Sequence, residues 1–408
     1  MRIMSNHAMV ILRPKAPFFC AMNMKSDQPN YWVRIWVIGI VLLASLSVFF
    51  VYKLVLAWPK ERLEQKLEKA ITQETTWFLN NQKETGDFVY EQVAATGEVN
   101  DANSIVRQAG ASYGLGQAYG YKKDPQVMRA FEKNLTYFRS LSATKSATQA
   151  MISHEGATYS NTTALVVLGL TEYIEADSRN NTTENLEYLV RLSNYLESTQ
   201  ATSGAYIYSY EPTPTESDYN NGETMYALIR SYRLTQKDSY LTSVRRMADY
   251  AISHYGTKKF NSSFFSWGMA GFAYLYDVSP DERYWKFLLE SAKTYMSMRG
   301  KYYDAYIQKN EGDPVPPAAA VFLEGIAHVG WIAKEKDLKV YTELHQHVRS
   351  VLDYLLVYVL GGPYGRYKSE SASASGAMCA TVQCETTRVD FMQHHMSAMT
   401  LYLKFMNK

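Results

Sequence analysis

The first part of the chain differs from the rest in its pattern of apolar and polar positions. From Ile35 to Tyr52 the sequence contains no charged residue, and roughly 18 residues rising about 1.5 Å each approach the ~30 Å hydrocarbon core of a bilayer. Aromatic residues, which favour the membrane interface, flank this stretch at Trp32 and Trp58. The pattern predicts a transmembrane helix over residues 32–56, preceded by a cytoplasmic stub of residues 1–31.

A cleaved signal peptide is the alternative interpretation of this stretch. The charged region before it would then be unusually long, and no small-x-small cleavage site clearly follows it. We therefore favour an uncleaved anchor. Basic residues are equally frequent on the two sides of the span, so the positive-inside rule gives no orientation.

After the span, apolar positions recur with the 3.6-residue period of helices over residues 59–408. This pattern predicts twelve helical segments, at about Pro59–Gln82, Ser104–Tyr121, Pro125–Ser142, Thr162–Ala176, Thr183–Thr199, Gly222–Thr235, Asp238–Tyr255, Phe265–Asp277, Asp281–Met298, Ala318–Lys334, Asp337–Leu360 and Arg388–Met406. We expect them to form a single domain.

The connections between these segments alternate in length. Short polar turns follow the even-numbered segments, and longer loops rich in Gly and Tyr follow the odd-numbered ones. The even-numbered segments also carry clusters of small residues, for example Gly114 and Gly116 in the second and Gly268 and Gly271 in the eighth. Because small residues let backbones approach closely, we expect the even-numbered helices to form an inner ring and the odd-numbered ones an outer ring.

A short motif occurs twice, which indicates a repeated unit. Phe78-Leu79 followed by Gly86-Asp87-Phe88-Val89-Tyr90 resembles Tyr195-Leu196 followed by Gly204-Ala205-Tyr206-Ile207-Tyr208. Each copy precedes a polar loop and an inner segment, so one outer and one inner helix make the unit. Six such hairpins closed in a ring give an all-α fold, an (α/α)6 toroid. An open solenoid of the tetratricopeptide type is the alternative, but these units are longer and lack its consensus.

With this architecture, the part from about Pro59 to Lys408 resembles the six-hairpin glycosidase-like superfamily of α/α toroids. That superfamily includes glycoside hydrolases, unsaturated glucuronyl hydrolases, polysaccharide lyase domains and N-acylglucosamine 2-epimerase-like enzymes. The resemblance implies a site in the funnel formed by the long loops and the N-termini of the inner helices. It implies no particular catalytic residue, and since lanthionine and terpenoid cyclases use the same toroid, the fold does not fix the reaction.

Composition narrows the class of partner. The 42 basic and 40 acidic residues leave a net charge of +2, and no dense basic run is interleaved with aromatic residues, so we expect no nucleic-acid partner. The 33 tyrosines and seven tryptophans suit stacking on sugar rings as well as helix packing. We therefore expect a saccharide ligand, and a membrane contact through the single N-terminal helix.

Many polar and aromatic residues fall on the loops and helix starts that would face the funnel. They are Asn103, Arg107, Gln108, His154, Glu155, Asp218, Tyr219, Glu223, Trp267, Glu311, Asp313, Arg366, Glu385, Arg388, Asp390, His394 and His395. Acidic, basic and aromatic groups would thus converge at one mouth.

Glycoside hydrolysis needs one protonated and one ionised carboxyl group. We expect these catalytic groups among Glu223, Asp218, Asp390 and Glu155. Asp218 and Glu223 are the best local pair, because the run from residue 220 to 222, Asn-Asn-Gly, would set Glu223 in the first helical turn. In the alternative, Asp218 caps the helix and Glu223 is an ordinary first-turn acid. A helix N-terminus also lowers the pKa of a general acid unless burial outweighs it.

The remaining candidates would bind substrate. Arg107 and Arg388 start the second and twelfth segments, which become neighbours when the ring closes, and two guanidinium groups there would suit a carboxylate or sulfate on the sugar. Alternatively they pair with acids such as Asp390 and brace the closure. The other binding candidates are Asn103, Gln108, Tyr219, Trp267 and His394.

Two of the three cysteines, Cys379 and Cys384, are spaced for a disulfide if that side of the membrane is oxidising. This favours a periplasmic or other extracytoplasmic location for the domain. With His394 or His395 they could instead bind zinc, although the spacing is loose. We expect no metal and no cofactor, since the sequence has no Walker loop and no dinucleotide fingerprint after a strand.

These observations predict a membrane-anchored carbohydrate-active enzyme, a glycoside hydrolase or a related lyase or epimerase, acting on a cell-envelope or exopolysaccharide saccharide that carries a negative charge. Two alternatives remain. One is a non-catalytic saccharide-binding or assembly subunit of a polysaccharide machine, and the other is a metal-dependent toroidal cyclase.

Overall fold

The described part of the chain forms two compact units. A computed structural model describes residues 29–57, 61–210, 213–256, 260–299 and 316–407, and the units are Met1–Glu61 and Arg62–Lys408.

The first unit contains the helix α1 (Pro29–Ala57). Over Trp32–Phe50 this helix is long and apolar enough to cross a membrane, and large side chains such as Leu43 are exposed. It is the one helix of this kind in the described residues, and a signal sequence near an N-terminus would have the same properties. The predicted span over residues 32–56 lies within α1.

The second unit contains twelve α-helices in its described residues. They are α2 (Leu63–Asn80), α3 (Ile105–Lys122), α4 (Pro125–Ser140), α5 (Ser160–Ala176), α6 (Thr183–Ser198), α7 (Asp218–Thr235), α8 (Asp238–Tyr255), α9 (Ser262–Val278), α10 (Glu282–Arg299), α11 (Pro316–Lys336), α12 (Leu338–Leu355) and α13 (Val389–Leu401). A 3₁₀ turn (Leu356–Tyr358) continues α12, and a π-helical turn (Tyr402–Met406) continues α13. Each helix corresponds to one predicted segment.

These helices form two concentric rings. The inner ring runs in the order α3, α5, α7, α9, α11 and α13; each of these helices contacts the next, and α13 contacts α3. The helices α2, α4, α6, α8, α10 and α12 lie outside it. The ring is therefore closed, and the (α/α)6 toroid expected from the sequence is confirmed.

Glycines set the spacing within the inner ring. A Cβ atom on Gly116 of α3 would lie 2.9 Å from the backbone oxygen of Gly169 in α5, and one on Gly222 of α7 would lie 2.8 Å from the backbone nitrogen of Gly268 in α9. No side chain fits at these crossings. The small residues of the inner segments thus allow the backbones of neighbouring inner helices to approach closely, as the sequence predicts.

Short turns join each inner helix to the next outer one. After α3 and α7 the backbone turns left-handed at Lys123 and Gln236, with φ 56° and 55°, which ends each helix. The next helix then starts at once; the side chain of Asp124, for instance, accepts a hydrogen bond from the backbone N–H of Gln126 (2.7 Å) at the start of α4.

The connections from each outer helix to the next inner one are longer, except for the six residues between α8 and α9, and four of them carry short antiparallel strands in their described residues. The strands are β1 (Glu91–Val93), β2 (Ser142–Ser146), β3 (Gln149–Ile152), β4 (Ile207–Ser209), β5 (Thr215–Glu216) and β6 (Thr386–Arg388). Within two of the connections β2 pairs with β3 and β4 with β5, whereas β1 pairs with β6 from the last connection. All of these connections precede an inner helix, so they lie at the same end of the ring. Residues 300–315 of one connection, with Glu311 and Asp313, lie outside the described residues.

The repeated motif corresponds to a repeated hydrogen-bond pattern. Gln82 Nε2 donates to the backbone oxygens of Gly86 (3.0 Å) and of a residue in α4, and Gln200 Nε2 donates to those of Gly204 (2.9 Å) and of a residue in α8. Gly86 and Gly204 have φ of 101° and 100°, a conformation that glycine adopts without strain. The motif therefore encodes the same loop at two places in the ring.

Helix α7 begins one turn earlier than the sequence predicts. Asn220 and Asn221 are helical, and their side chains bond to the preceding loop. Asn220 Nδ2 donates to the backbone oxygen of Tyr206 (3.1 Å), and the N–H of Tyr206 donates to Asn221 Oδ1 (2.8 Å). The prediction of a turn just before Glu223 is therefore wrong. These two asparagines are part of the helix, and their side chains hydrogen-bond to the backbone of the preceding loop.

Candidate functional site

A cavity of about 700 Å³ opens at the end of the ring where the long connections lie. Its lining comes from the first two turns of the inner helices, from the connection before α7 and from the last connection. The lining residues are Val106, Arg107, Gly110, Asn161, Leu165, Tyr208, Ser217, Tyr219, Glu223, Trp267, Val321, Ala380, Thr381, Thr386, Arg388, Asp390, Phe391, Gln393 and His394. All six inner helices contribute, so residues remote in sequence share one space.

Glu223 of α7 lies on the wall of this cavity with an exposed fraction of 5%. Burial raises the pKa of its carboxyl group to about 8, and a hydrogen bond from Asn161 of α5 opposes that shift. Among the described residues, none hydrogen-bonds to Glu223 Oε2. The carboxyl group therefore stays protonated at neutral pH, and burial outweighs the effect of the helix N-terminus.

An ion triad closes the ring beside the cavity. Asp390 at the start of α13 accepts hydrogen bonds from Arg107 Nε of α3 (2.8 Å) and from Arg388 Nε (2.7 Å) and Nη2 (3.0 Å). Arg107 Nη1 also donates to the Tyr90 hydroxyl (3.1 Å). Two cations thus share one carboxylate, which leaves a net positive charge on this wall. The two arginines therefore brace the closure of the ring and also lie at the mouth of the cavity, so both positions expected from the sequence are found.

His394, one turn along α13 from Asp390, also lines the cavity. Its Nδ1 atom lies 3.0 Å from Oε2 of Glu324, a buried carboxylate of α11. Burial opposes ionisation of the imidazole, but the Glu324 carboxylate outweighs it, and the pKa of His394 is raised above its usual range. The Trp267 ring of α9 lies 6.1 Å from the His394 ring, measured between centroids.

Aromatic side chains form part of the rim. Tyr219 at the start of α7 is about half exposed and lines the cavity, as the sequence predicts for a residue that stacks on sugar. Tyr208, the last residue in the second copy of the repeated motif, also lines the cavity and stacks on Tyr159, with ring centroids 5.1 Å apart. Together with Trp267 they supply flat apolar faces around polar groups.

The last connection supplies another wall. Cys379 and Cys384 form a disulfide with a Cα–Cα distance of 4.7 Å, and Ala380 and Thr381, within the loop that it closes, line the cavity. The two cysteines are therefore bonded to each other and present no thiolate to a metal ion.

Four of the predicted catalytic and substrate-binding residues do not line the cavity, and neither do four further residues expected near the funnel, His154, Arg366, Glu385 and His395. Asp218 accepts hydrogen bonds from the Tyr255 hydroxyl (2.6 Å) and from Asn261 Nδ2 (2.8 Å). Glu155 is exposed in a tight turn with φ 52°.

The other two residues hold a connection in place. Gln108 is fully buried; it accepts from the backbone N–H of Phe88 (3.0 Å) and donates to its oxygen (2.9 Å). Asn103 accepts from Gln108 Nε2 (3.0 Å). Gln108, in the first turn of α3, and Asn103, just before that helix, therefore stabilise the connection between α2 and α3.

Helix geometry explains which candidates face the cavity. Tyr219 and Glu223 are four positions apart on α7, and so are Asp390 and His394 on α13; both pairs therefore share a helix face. Asp218 and Glu223 are five positions apart, roughly 140° around the helix, and point in different directions. The expected carboxylate pair of Asp218 and Glu223 is thus not formed at the cavity.

Three residues at or beside the cavity escape the sequence analysis. Asn161 has no distinctive pattern and comes from a segment far from Glu223 along the chain. Tyr208 ends the second copy of the repeated motif, but the motif does not indicate that this residue faces the cavity. Glu324 could have been found from the sequence, because it is an acidic residue within an otherwise apolar stretch of an inner helix.

Sequence comparison finds no relatives, whereas structure comparison does. No protein-family model and no curated protein sequence matches this chain. An α-1,6-mannanase of glycoside hydrolase family 76 from Salegentibacter sp. HEL1_6 superposes with a TM-score of 0.64 at 10% identity, over 84% of this chain and 100% of that one. That structure is an inactive variant, with two adjacent aspartates replaced by asparagine, in complex with α-1,6-mannotriose.

Two further structures are similar. An unsaturated glucuronyl hydrolase specific for heparin has a TM-score of 0.60 at 11% identity, over 85% of this chain and 98% of that one. A D-mannose isomerase has a TM-score of 0.58 at 15% identity, over 83% and 97%. These similarities confirm the six-hairpin glycosidase-like architecture that the sequence predicts. At such low identity they establish the fold and leave the reaction to the residues of the site.

Proposed function

We propose that this protein is a membrane-anchored carbohydrate-active enzyme that cleaves a glycosidic bond in a cell-envelope or exopolysaccharide saccharide. The observation that carries the proposal is Glu223, a buried carboxyl group that keeps its proton on the wall of a cavity large enough for a short oligosaccharide. A general acid must hold a proton at working pH and lie within reach of the leaving oxygen. Glu223 meets the first condition, and its place on the cavity wall favours the second.

The ring order places the other reactive groups across from Glu223. Helices α7 and α13 are three places apart in a ring of six, so they face each other across the cavity. Helix α13 carries Asp390 and His394 on its cavity face. A saccharide between the two helices would have the acid on one side and ionisable groups on the other, as inverting and retaining glycosidases both require.

Comparison with the mannanase helps to choose the catalytic residues that we propose. Its inactive variant lacks two adjacent aspartates, and this sequence contains no two adjacent aspartates. We therefore assign the chemistry to other groups, with Glu223 on one wall of the cavity and the residues of α13 on the other. Asp218 and Glu155, which do not line the cavity, take no part in this proposal.

The positive wall favours an anionic saccharide. Arg107 and Arg388 both form salt bridges with the single carboxylate of Asp390, so two guanidinium groups lie together beside the cavity. A guanidinium group can hold a carboxylate with two parallel hydrogen bonds. The similarity to a hydrolase specific for heparin, an anionic polysaccharide, is consistent with this substrate class.

Conservative substitutions test the proposal. Glu223→Gln removes the proton donor but keeps the shape of the side chain, so we expect turnover to fall at least about 100-fold while saccharide binding persists. Asp390→Asn should lower turnover as well, since it releases both arginines. The assay measures release of reducing ends from neutral manno-oligosaccharides and from uronate-containing oligosaccharides, and calorimetry measures binding of the same compounds.

Two results would contradict the proposal. Full turnover in both variants would remove these residues from the reaction, and equal affinity for neutral and uronate compounds would remove the preference for an anionic saccharide. Glu155→Gln, on the surface and away from the cavity, is the matched control and should leave turnover unchanged.

A second candidate function is a saccharide-binding or assembly subunit without catalysis. It is favoured by the ion triad, because Asp390, the second acidic residue among the described residues that line the cavity, already accepts hydrogen bonds from two arginines. Such a protein would bind the same compounds but show no turnover in the unaltered chain. The third candidate, a metal-dependent cyclase, would have to bind zinc without the bonded cysteines, and the metal content of the purified protein decides it.

A further inference from the structure

The pair formed by His394 and Glu324 has the features of a tuned proton-transfer group. His394 is on α13 and Glu324 on the neighbouring inner helix α11, with 3.0 Å between Nδ1 and Oε2. The exposed fractions of the two side chains are 17% and 4%. The imidazole therefore reaches the cavity, while the carboxylate behind it is shielded from water.

Glu324 holds the imidazole in one orientation. The side chain of Gln393 donates from Nε2 to Glu324 Oε1 (3.2 Å), so each carboxylate oxygen has its own partner on α13. A carboxylate accepts hydrogen bonds only, which places the proton of a neutral His394 on Nδ1 and leaves the lone pair on Nε2. Within the described part of the chain no residue hydrogen-bonds to Nε2, and that edge of the ring is available to a ligand in the cavity.

Asp390 is less suited to accept a proton. Its Oδ1 atom accepts from Arg388 Nε, and its Oδ2 atom accepts from Arg107 Nε and Arg388 Nη2. Protonation of this carboxylate would break hydrogen bonds to two cations. On the wall opposite Glu223, His394 is thus the group with a free basic atom.

We propose that His394, oriented by Glu324, accepts the proton of the water molecule that attacks the saccharide, while Glu223 donates a proton to the leaving oxygen. The proposal rests on the function proposed above. The water oxygen forms a bond to the anomeric carbon as its proton passes to Nε2. The bond from that carbon to the glycosidic oxygen breaks, and the oxygen keeps the electron pair and takes the proton of Glu223. Glu324 touches no substrate and is a positioning residue.

The surroundings of His394 define how it responds to pH. Glu324 faces it from α11, Asp390 lies one turn earlier on α13, Arg107 faces it from α3, and the neutral ring of Trp267 lies on α9. Removing the Glu324 charge should lower the pKa of His394, because burial and Arg107 then dominate. The base would become available at lower pH.

Chemical modification tests this relation in the full-length protein without a substrate. Diethylpyrocarbonate reacts with unprotonated imidazole nitrogen, and peptide mass spectrometry gives the rate at each histidine as a function of pH. We expect His394 to react through Nε2, whereas the fully buried His395 stays protected. In Glu324→Gln the reaction of His394 at pH 6 should be at least about threefold faster.

A second histidine–carboxylate pair provides the matched control. His395 bonds to Glu74 away from the cavity, and both side chains are fully buried. Glu74→Gln should leave the pH dependence of His394 unchanged, and Glu324→Asp, which keeps the charge, should stay close to the unaltered protein. Protection of His394 in the unaltered protein, or the same pH dependence in Glu324→Gln, would overturn the proposal.

Kinetics separate this inference from the proposed function. If the unaltered protein cleaves a saccharide, the acid limb of its kcat profile should move to lower pH in Glu324→Gln but not in Glu74→Gln. An unmoved acid limb refutes the role of His394 and leaves the glycosidase proposal standing. Absence of turnover in the unaltered protein refutes the glycosidase proposal, while the modification rates still decide whether Glu324 controls His394.

Discussion

At the start of α7, burial keeps the carboxyl group of Glu223 protonated with a pKa of about 8, compared with 4.5 for an exposed glutamate. Between these values the unfolded chain has released the proton and the folded chain still holds it. The free energy of unfolding therefore falls as pH rises from about 4.5 to about 8. At pH 7 this loss is about 3 kcal/mol, which is large beside the net stability of a typical domain.

Glu223→Gln should consequently stabilise the protein while it abolishes turnover. Glutamine cannot ionise, so the unfolded state loses its advantage above pH 4.5. We expect a higher unfolding temperature at pH 7 and 8 and little change at pH 4, measured by circular dichroism. The exposed Glu155→Gln is the control, with a change within about 0.5 kcal/mol throughout. An equal change for Glu223→Gln at pH 4 and pH 8 would show that the carboxyl group is not held neutral by the fold.

At the scale of elements, the connection between α12 and α13 is the one that shapes the cavity most directly. It contains the disulfide loop with Ala380 and Thr381, then β6, and then the start of α13 with Arg388 and Asp390. Strand β6 pairs with β1, with Arg388 opposite Glu91. The disulfide and this short sheet together fix a wall and two of the charged groups.

Opening the disulfide should loosen that wall. For so short a loop, the chain-entropy estimate of its contribution to the free energy of unfolding is roughly 2 kcal/mol. We expect a double variant, Cys379→Ser with Cys384→Ser, to lose about that stability in chemical denaturation and to bind saccharide more weakly.

The reductant response provides the control for that variant. Dithiothreitol should weaken saccharide binding by the unaltered protein and leave the double variant unchanged. Equal affinity with and without the disulfide would mean that β1, β6 and the ion triad hold the wall by themselves.

For the whole molecule, closure of the ring is what creates the site. Arg107 and Asp390 are 283 positions apart along the chain, yet the contact between α3 and α13 brings them within 2.8 Å. Helices α7 and α13 face each other only because six hairpins complete the circle. An open arrangement of the same helices would leave Glu223 and His394 on separate surfaces.

The proposed membrane attachment through α1 is tested on the whole molecule. If α1 is an uncleaved anchor, as we propose, the full chain should sediment with membranes and remain there after alkaline carbonate treatment, and a chain starting at Arg62 should be soluble. Mass spectrometry of the N-terminus is the deciding control. A mature protein that begins after residue 57 and stays in solution would identify α1 as a signal sequence.

From the sequence, the residues that line the cavity could be predicted more completely than the contacts between them. Arg107, Tyr219, Glu223, Trp267, Arg388, Asp390 and His394 were all expected at the mouth, and all line the cavity. The pairing of both arginines with Asp390 was expected as an alternative. The partners of Glu223 and His394 were not predicted, because Asn161 and Glu324 belong to other hairpins and come close only when neighbouring inner helices pack. Asp218 was misplaced for a local reason: α7 starts one turn earlier, which turns Asp218 away from Glu223.

What the sequence determined by itself is the set of helices, their alternation into two rings and the end of the ring at which the site lies. These follow from the apolar period, from glycines at helix crossings and from loop length, all of which are local patterns. Only the tertiary structure decided which groups keep or lose their protons. Burial of Glu223, and the charges placed around Asp390 and His394, depend on distances between residues that the chain order does not fix.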